Sequence, residues 1–182
     1  MKEKICYQEM GGGLRRAALA NGYTGTFGVI LFSIRMLRNW LLNFFVRYIA
    51  LLPSTRIVLQ RARGVKIGKC VSFMEGIKLD ELYPELITIK DYAALAPQVA
   101  ILTHQDPPIA FKREVEAFKA PVVIGKGAWI GFGAVILPGV TIGDYSIIGA
   151  GSMVNKDVPP RVFAAGLPAK VIRQLNVDEY PE

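Results

Sequence analysis

His104 is the only histidine among 182 residues, and it bounds the chemistry open to the chain. A neutral imidazole near pH 7 can take a proton from a hydroxyl or an amine as that group attacks an electrophile. A three-histidine zinc site cannot be built within one chain, so hydration chemistry of the carbonic-anhydrase kind is excluded. Cys6 and Cys70 fit no metal-ligand spacing, and neither lies in a motif that suggests an acyl-carrying nucleophile. They read as free thiols in a reducing compartment, and the absence of an apolar leader with a cleavage site points to the cytoplasm.

The elements that must position His104 announce themselves as a repeat. From Ile124 to Pro159 the chain reads IGKGAW, IGFGAV, ILPGVT, IGDYSI, IGAGSM, VNKDVP. The first position of each block is Ile124, Ile130, Ile136, Ile142, Ile148 or Val154, the second is mostly Gly, and the fifth is small or β-branched. A period of six fits neither a helix face nor a plain alternating strand, and it predicts a parallel β-helix of stacked triangular coils. The aliphatic points inward, and the second-position Gly is expected to let the backbone turn near each corner. His104 falls at the end of such a coil.

The remaining segments differ in character. Residues 1–26, with GGG and an NG pair, read as a flexible arm, and residues 27–66 as a basic amphipathic helical segment. Within 27–52, Arg35, Arg38, Asn39, Asn43 and Arg47 recur at three- and four-residue steps along one side, while Trp40, Leu41, Phe44, Phe45 and Tyr48 cover much of the rest. The arginines interrupt this stretch too often for a bilayer span. Two placements stay open: a peripheral helix in the membrane interface, or an apolar face packed on the β-helix or on a neighbouring subunit. The β-helix covers 67–159, broken once at LDELYPELIT and again by a polar excursion loop at 104–121. Residues 160–182 read as a C-terminal cap, with a turn at Gly166 and Pro168, a short helix and an acidic tail.

The formal charge of +7 is unevenly spread. Between Glu9 and Glu75 there is no acid, while Arg15, Arg16, Arg35, Arg38, Arg47, Arg56, Arg61, Arg63, Lys66 and Lys69 give ten cations. Such segregation points to an anionic surface or substrate. Nucleic acid is not expected, because the cations ride on an apolar, aromatic-rich helix and not on a base-reading module.

Together the hexads of 124–159, the histidine in ILTHQDPP, the WIG at 129–131 and the ending AAGLPAKVIR resemble the hexapeptide-repeat acyltransferases, the family of galactoside, maltose and polysaccharide O-acetyltransferases. The resemblance covers about residues 64 to 175. It implies a mainly β fold in the left-handed form of the parallel β-helix, assembled as a homotrimer with sites between the prisms. It further implies acetyl-CoA as acyl donor, no metal, and a sugar or glycan hydroxyl as acceptor, on a polysaccharide or a lipid-linked saccharide. His104 matches the family's catalytic base, and Trp129 the aromatic bordering the acyl-CoA channel. Phe132, Ala150, Asn155 and Lys156 fall where the family contacts the pantetheine arm, and Lys170 and Arg173 where it holds the nucleotide phosphates, which require cations. Before His104 the pattern departs: where the galactoside type places an amide, this chain reads FMEGIK. Glu75 is therefore a candidate to orient the imidazole or bind the acceptor, with Asp106 as the other. An amino sugar or xenobiotic amine as acceptor, and a non-catalytic β-helix scaffold, remain alternatives.

Overall fold

The computed structural model describes residues 3–4, 14, 18–19, 21–48, 53–107 and 115–177. Most of the expected arm, the end of the helical stretch at 49–52, the tip of the excursion at 108–114 and the tail at 178–182 lie outside the described residues. A short strand β1 (Glu3–Lys4) precedes two helices, α1 (Gly25–Tyr48) and α2 (Pro53–Ala62). Strands of two or three residues then follow in threes. The first coil holds β2 (Lys66–Ile67), β3 (Ser72–Phe73) and β4 (Lys78–Leu79), and the second β5 (Ile87–Ile89), β6 (Ala94–Leu95) and β7 (Ala100–Ile101). An antiparallel hairpin, β8 (His104–Gln105) and β9 (Phe118–Lys119), stands between the second and third coils, with β1 on its outer edge. The third coil holds β10 (Val122–Ile124), β11 (Trp129–Ile130) and β12 (Val135–Ile136), and the fourth β13 (Thr141–Ile142), β14 (Ile147–Ile148) and β15 (Met153–Val154). The chain closes with β16 (Val162–Gly166) and β17 (Ala169–Gln174).

Corresponding strands pair in parallel and make three faces, β2-β5-β10-β13, β3-β6-β11-β14-β16-β17 and β4-β7-β12-β15. Only the last pair, β16 with β17, is antiparallel within them. The register stacks the inward aliphatics in files: Ile67, Ile89, Ile124 and Ile142; Phe73, Leu95, Ile130, Ile148 and Ala164; Leu79, Ile101, Ile136 and Val154. All are buried except Ile67, which is half-buried at the helix end of the stack. This is the parallel β-helix that the repeat implies, in the left-handed form that the resemblance implies. The buried fifth-position serines are satisfied by the closing segment, from Pro159 to the end of β16. Ser146 Oγ donates to Pro159 O at 2.6 Å, and Ser152 Oγ accepts from the Gly166 N–H at 3.1 Å.

The glycines divide the work differently from the sequence expectation. The left-handed turn falls on the fourth position of the hexad, at Gly127, Gly133, Gly139 and Gly151, and even at Tyr145 (φ 58°). The second position is glycine because the next coil leaves no room. A Cβ at Gly131 would sit 2.6 Å from both Ala150 N and Ile148 O.

One further expectation is corrected, and one of the placements left open for the helix is not the one observed. Residues 169–174 form β17 and not the short helix expected after the Gly166–Pro168 turn. The free edge of β16 offers unpaired backbone groups, and a returning strand satisfies them where a helix would not. In α1 it is the polar stripe, apart from the exposed Arg38, that faces the protein. Arg35 pairs with Glu85, Asn43 Nδ2 donates to Glu81 Oε1 at 2.8 Å, and Asn39 is buried. Trp40, Leu41, Phe44 and Phe45 are exposed, so the apolar face does not pack on the β-helix. The two glutamates come from the break between coils one and two; Glu85 answers Arg35 and Glu81 answers Asn43, in a stretch with no acid of its own between Glu9 and Glu75.

Gly131→Ala is expected to cost about 3 kcal/mol, because its clashes are with backbone that cannot rotate away. Gly133→Ala, in open space at φ 65°, is expected to cost about 1 kcal/mol. Urea midpoints at unchanged m-value check the difference; equal losses would contradict the close-approach account.

Candidate functional site

Both breaks in the hexads leave the prism at the same corner, after Leu79 and after Ile101, which are paired in register on the face β4-β7-β12-β15. The Asp80 N–H bonds to Ile101 O at 3.0 Å, so Asp80 lies on the level just below Leu102 and Thr103. Its carboxylate is fully buried and faces the second excursion: His104 Nδ1 is 2.6 Å from Asp80 Oδ2. The same Oδ2 accepts from the Thr103 N–H at 2.8 Å, while Oδ1 accepts from the N–H groups of Leu82 at 2.9 Å and Tyr83 at 3.1 Å. Burial alone would push this carboxyl up. The bonds from His104, Thr103 and Tyr83 together outweigh it and hold the group at about 2. An ionised acceptor fixes the tautomer: Nδ1 carries the proton and donates it to Asp80, which leaves Nε2 with its lone pair. The bond to Asp80 raises the imidazole pKa, against a smaller lowering by burial.

The shell around the pair comes from the same segment. Tyr83 is buried and stands edge-on to the imidazole, ring centroids 5.5 Å apart, and the Lys119 ammonium lies over the tyrosine ring, 5.1 Å from its centroid. The Thr103 hydroxyl donates to Tyr83 O at 3.2 Å. In the turn just after α2, the buried guanidinium of Arg63 donates through Nη2 to Asp80 O at 2.8 Å and through Nη1 to Gln60 Oε1, on the helix itself, at 2.7 Å. His104 opens into a cleft of about 710 Å³ between the helices and the first two coils, lined also by Met36, Asn43, Arg56, Glu75 and Gln98.

Glu75 therefore shares the cleft with His104 but does not orient it; the carboxylate on the ring is Asp80. Asp106 is exposed and adds to the raised imidazole pKa only through its charge, as the last of the causes. The other candidates border the same face or the next. Along one edge of the face β4-β7-β12-β15, Gln98 N–H bonds to Glu75 O, Gly133 N–H to Pro97 O and Gly151 N–H to Phe132 O, which aligns Glu75, Phe132 and Ala150 coil by coil. Along the other edge, Leu102 N–H bonds to Ile136 O and Leu137 N–H to Val154 O, so Asn155 and Lys156 follow His104 two coils on, about 10 Å along the axis. Trp129, half-exposed on β11, lies on the neighbouring face, as do Lys170 and Arg173 on β17, the latter 5.9 Å over the Phe163 ring. One chain thus gathers His104 and Glu75 in a cleft but spreads the remaining candidates over two faces of the prism.

Sequence reasoning missed Asp80, Tyr83 and Arg63. The signal for Asp80 was an acid directly after the last inward aliphatic of a coil, where the hexad count breaks. Its pairing with His104 follows only once the break at 80–86 is known to leave Leu79 in register with Ile101.

The family described as bacterial transferase hexapeptide (six repeats) matches residues 121–156. A galactoside O-acetyltransferase of Escherichia coli (strain K12) is 47% identical over 114 residues, 62% of this chain and 55% of that protein. The chain thus spans about half the length of the curated relatives it matches. Among solved structures, a galactoside acetyltransferase in complex with coenzyme A is 30% identical, with a TM-score of 0.65 over 80% of this chain and 82% of that one. A maltose O-acetyltransferase from Clostridium difficile 630 is 28% identical, with a TM-score of 0.65 over 81% and 89%.

The pKa shifts of the pair set the pH window in which it stabilises the fold. Asp80, depressed from 3.8 to about 2, contributes stability above pH 4 that is lost as pH falls toward 2. His104, raised above 6.5, contributes fully below pH 6.5 and loses that contribution as pH rises through its folded value. The stability difference between the parent and Asp80→Asn is therefore expected to be widest between about pH 4 and 6.5 and to shrink on both sides. Because His104 is the sole histidine, one pair of ring proton resonances reports its titration without assignment; in Asp80→Asn it is expected to titrate at lower pH.

Proposed function

The chain belongs to the hexapeptide-repeat acyltransferase family, and on that premise we propose that it is an acetyl-CoA-dependent O-acetyltransferase acting on a sugar or glycan hydroxyl. The observation that carries the reading is the His104–Asp80 pair in the lining of the cleft. With Nδ1–H held by a buried carboxylate, Nε2 takes the proton of the acceptor hydroxyl as its oxygen attacks the thioester carbonyl. The C–O bond forms, the tetrahedral intermediate collapses with loss of the C–S bond, and the imidazolium returns its proton to the departing thiolate. Asp80 stays ionised throughout and stabilises the imidazolium. Neither a covalent acyl-enzyme nor a metal is invoked.

Phe132, Ala150, Asn155 and Lys156 border the face that would carry the pantetheine arm, with Trp129 beside the acyl end and Lys170 and Arg173 at the phosphates. Their spread over two faces supports a homotrimer in which one chain supplies His104 and its neighbour completes the donor groove. The exposed, unpaired thiol of Cys70 suits a reducing, cytoplasmic setting. To Glu75, which lines the same cleft, we assign a hydrogen bond from a second hydroxyl of the acceptor.

His104→Ala is expected to lower kcat by about 10²–10⁴-fold with the KM for acetyl-CoA nearly unchanged. Lys156→Ala is expected to raise that KM by about tenfold at unchanged kcat, the loss of one charge-assisted contact. Steady-state assays of CoA release against a panel of saccharides and amino sugars check both. Retention of most turnover by His104→Ala would sink the mechanism. Activity should rise with pH as His104 loses its proton, and the acid limb should move to lower pH in Asp80→Asn.

A further inference from the structure

The outward side of α1 is an apolar strip. Phe27, Ile30, Ile34, Leu37, Leu41 and Phe45 recur at three- and four-residue steps and are all exposed, from 41% at Leu41 to 72% at Phe27. Trp40 and Phe44 flank them as a stacked pair with ring centroids 6.0 Å apart. From Phe27 to Phe45 the strip runs about 27 Å along the helix, so it is long as well as continuous. A surface of this kind marks a contact with something apolar. No described helix is long and apolar enough to cross a membrane, and the inward residues of α1 are tied to Glu81 and Glu85 of the body.

Charge decides what covers the strip. α1 contains no acid, Arg38 lies exposed on its flank, and α2, packed against it, contains no acid either. Two copies meeting strip to strip would bring cations toward cations with no acid on either helix to answer them. Anionic headgroups supply the missing charge, and the hydrocarbon beneath them receives the aromatics. We propose that α1 docks this protein on an anionic lipid surface, lying in the interfacial plane with the strip from Phe27 to Phe45 buried and Arg38 among the headgroups.

The inner side of the same helix, at Met36 and Asn43, lines the cleft that holds His104. Docking therefore brings the cleft within about one helix diameter, roughly 10 Å, of the headgroups. This suits an acceptor carried on a lipid, a consequence that rests on the acyl-transfer reading above, whereas the docking itself does not.

Cosedimentation of the full chain with vesicles tests the docking without acetyl-CoA or acceptor, so its outcome is separate from that of the activity assays. The parent is expected to bind equimolar phosphatidylcholine–phosphatidylglycerol vesicles about tenfold or more tightly than phosphatidylcholine alone. Leu37→Glu with Leu41→Glu, both at exposed positions, is expected to weaken that binding about tenfold or more. Arg38→Glu, outside the strip, is expected to weaken binding to the anionic vesicles and leave the neutral ones unchanged, and it decides the matter if the double variant fails to fold by circular dichroism. Absence of parent binding to the anionic vesicles, or undiminished binding by the folded variants, overturns the proposal. So does a double variant whose sedimentation mass drops while its vesicle binding holds, which would assign the strip to a second copy of the chain.

Discussion

Stacking in this fold is unforgiving: each inward aliphatic must sit directly on its counterpart one coil away, at the spacing of paired strands, about 4.8 Å. Ile124 on Ile142, Ile130 on Ile148 and Ile136 on Val154 are all eighteen residues apart. Extra residues cannot enter a coil without breaking the register, so they leave at a corner and return to the same file. Both excursions use the corner after the file Leu79–Ile101. Because they leave from adjacent levels, their first residues are within reach of each other. That is why Asp80 and His104, twenty-four residues apart in sequence, meet at hydrogen-bond distance.

The meeting has electrostatic consequences that neither residue would have alone. A buried carboxylate without donors would be neutral. Asp80 receives three backbone N–H groups besides the imidazole, so it remains charged in a place where water cannot screen it. Arg63 adds to the rigidity of the arrangement by binding the Asp80 carbonyl and not its carboxylate. The cation is thereby kept off the acid, and the acid's charge is left for the imidazole. Burial lowers the Arg63 pKa, against a smaller raising by the charges of Glu81 and Asp80. The first break in the hexads is thus the support of the site: it carries Asp80, contributes Tyr83 against the ring and offers Glu81 and Glu85 to α1.

Those last two contacts explain the orientation of α1. An amphipathic helix beside a β-helix ordinarily buries its apolar face. Here the β-helix has closed its own core of stacked aliphatics and presents acids at the corner, so α1 docks by its arginine and asparagines and turns its aromatics outward. The sequence signal was the same in either orientation, because polar residues recurring at helical spacing show that a helix has two unlike sides and not which of them faces the protein.

The sequence by itself determined the coil. A six-residue period with aliphatics in the first position and small residues in the fifth has few physical solutions, and the stacked files follow from it with the residues named. It also determined that any proton transfer by an imidazole must use His104, since there is no other. Only the tertiary structure decided the partner of that histidine, the facing of α1 and the strand at 169–174. The first two depend on a contact between segments whose relative position is set by how many residues leave a corner before the stack resumes, and the third on the edge that β16 presents where the stack ends. The period that makes the coils legible is silent about those residues, because they are the ones that do not obey it.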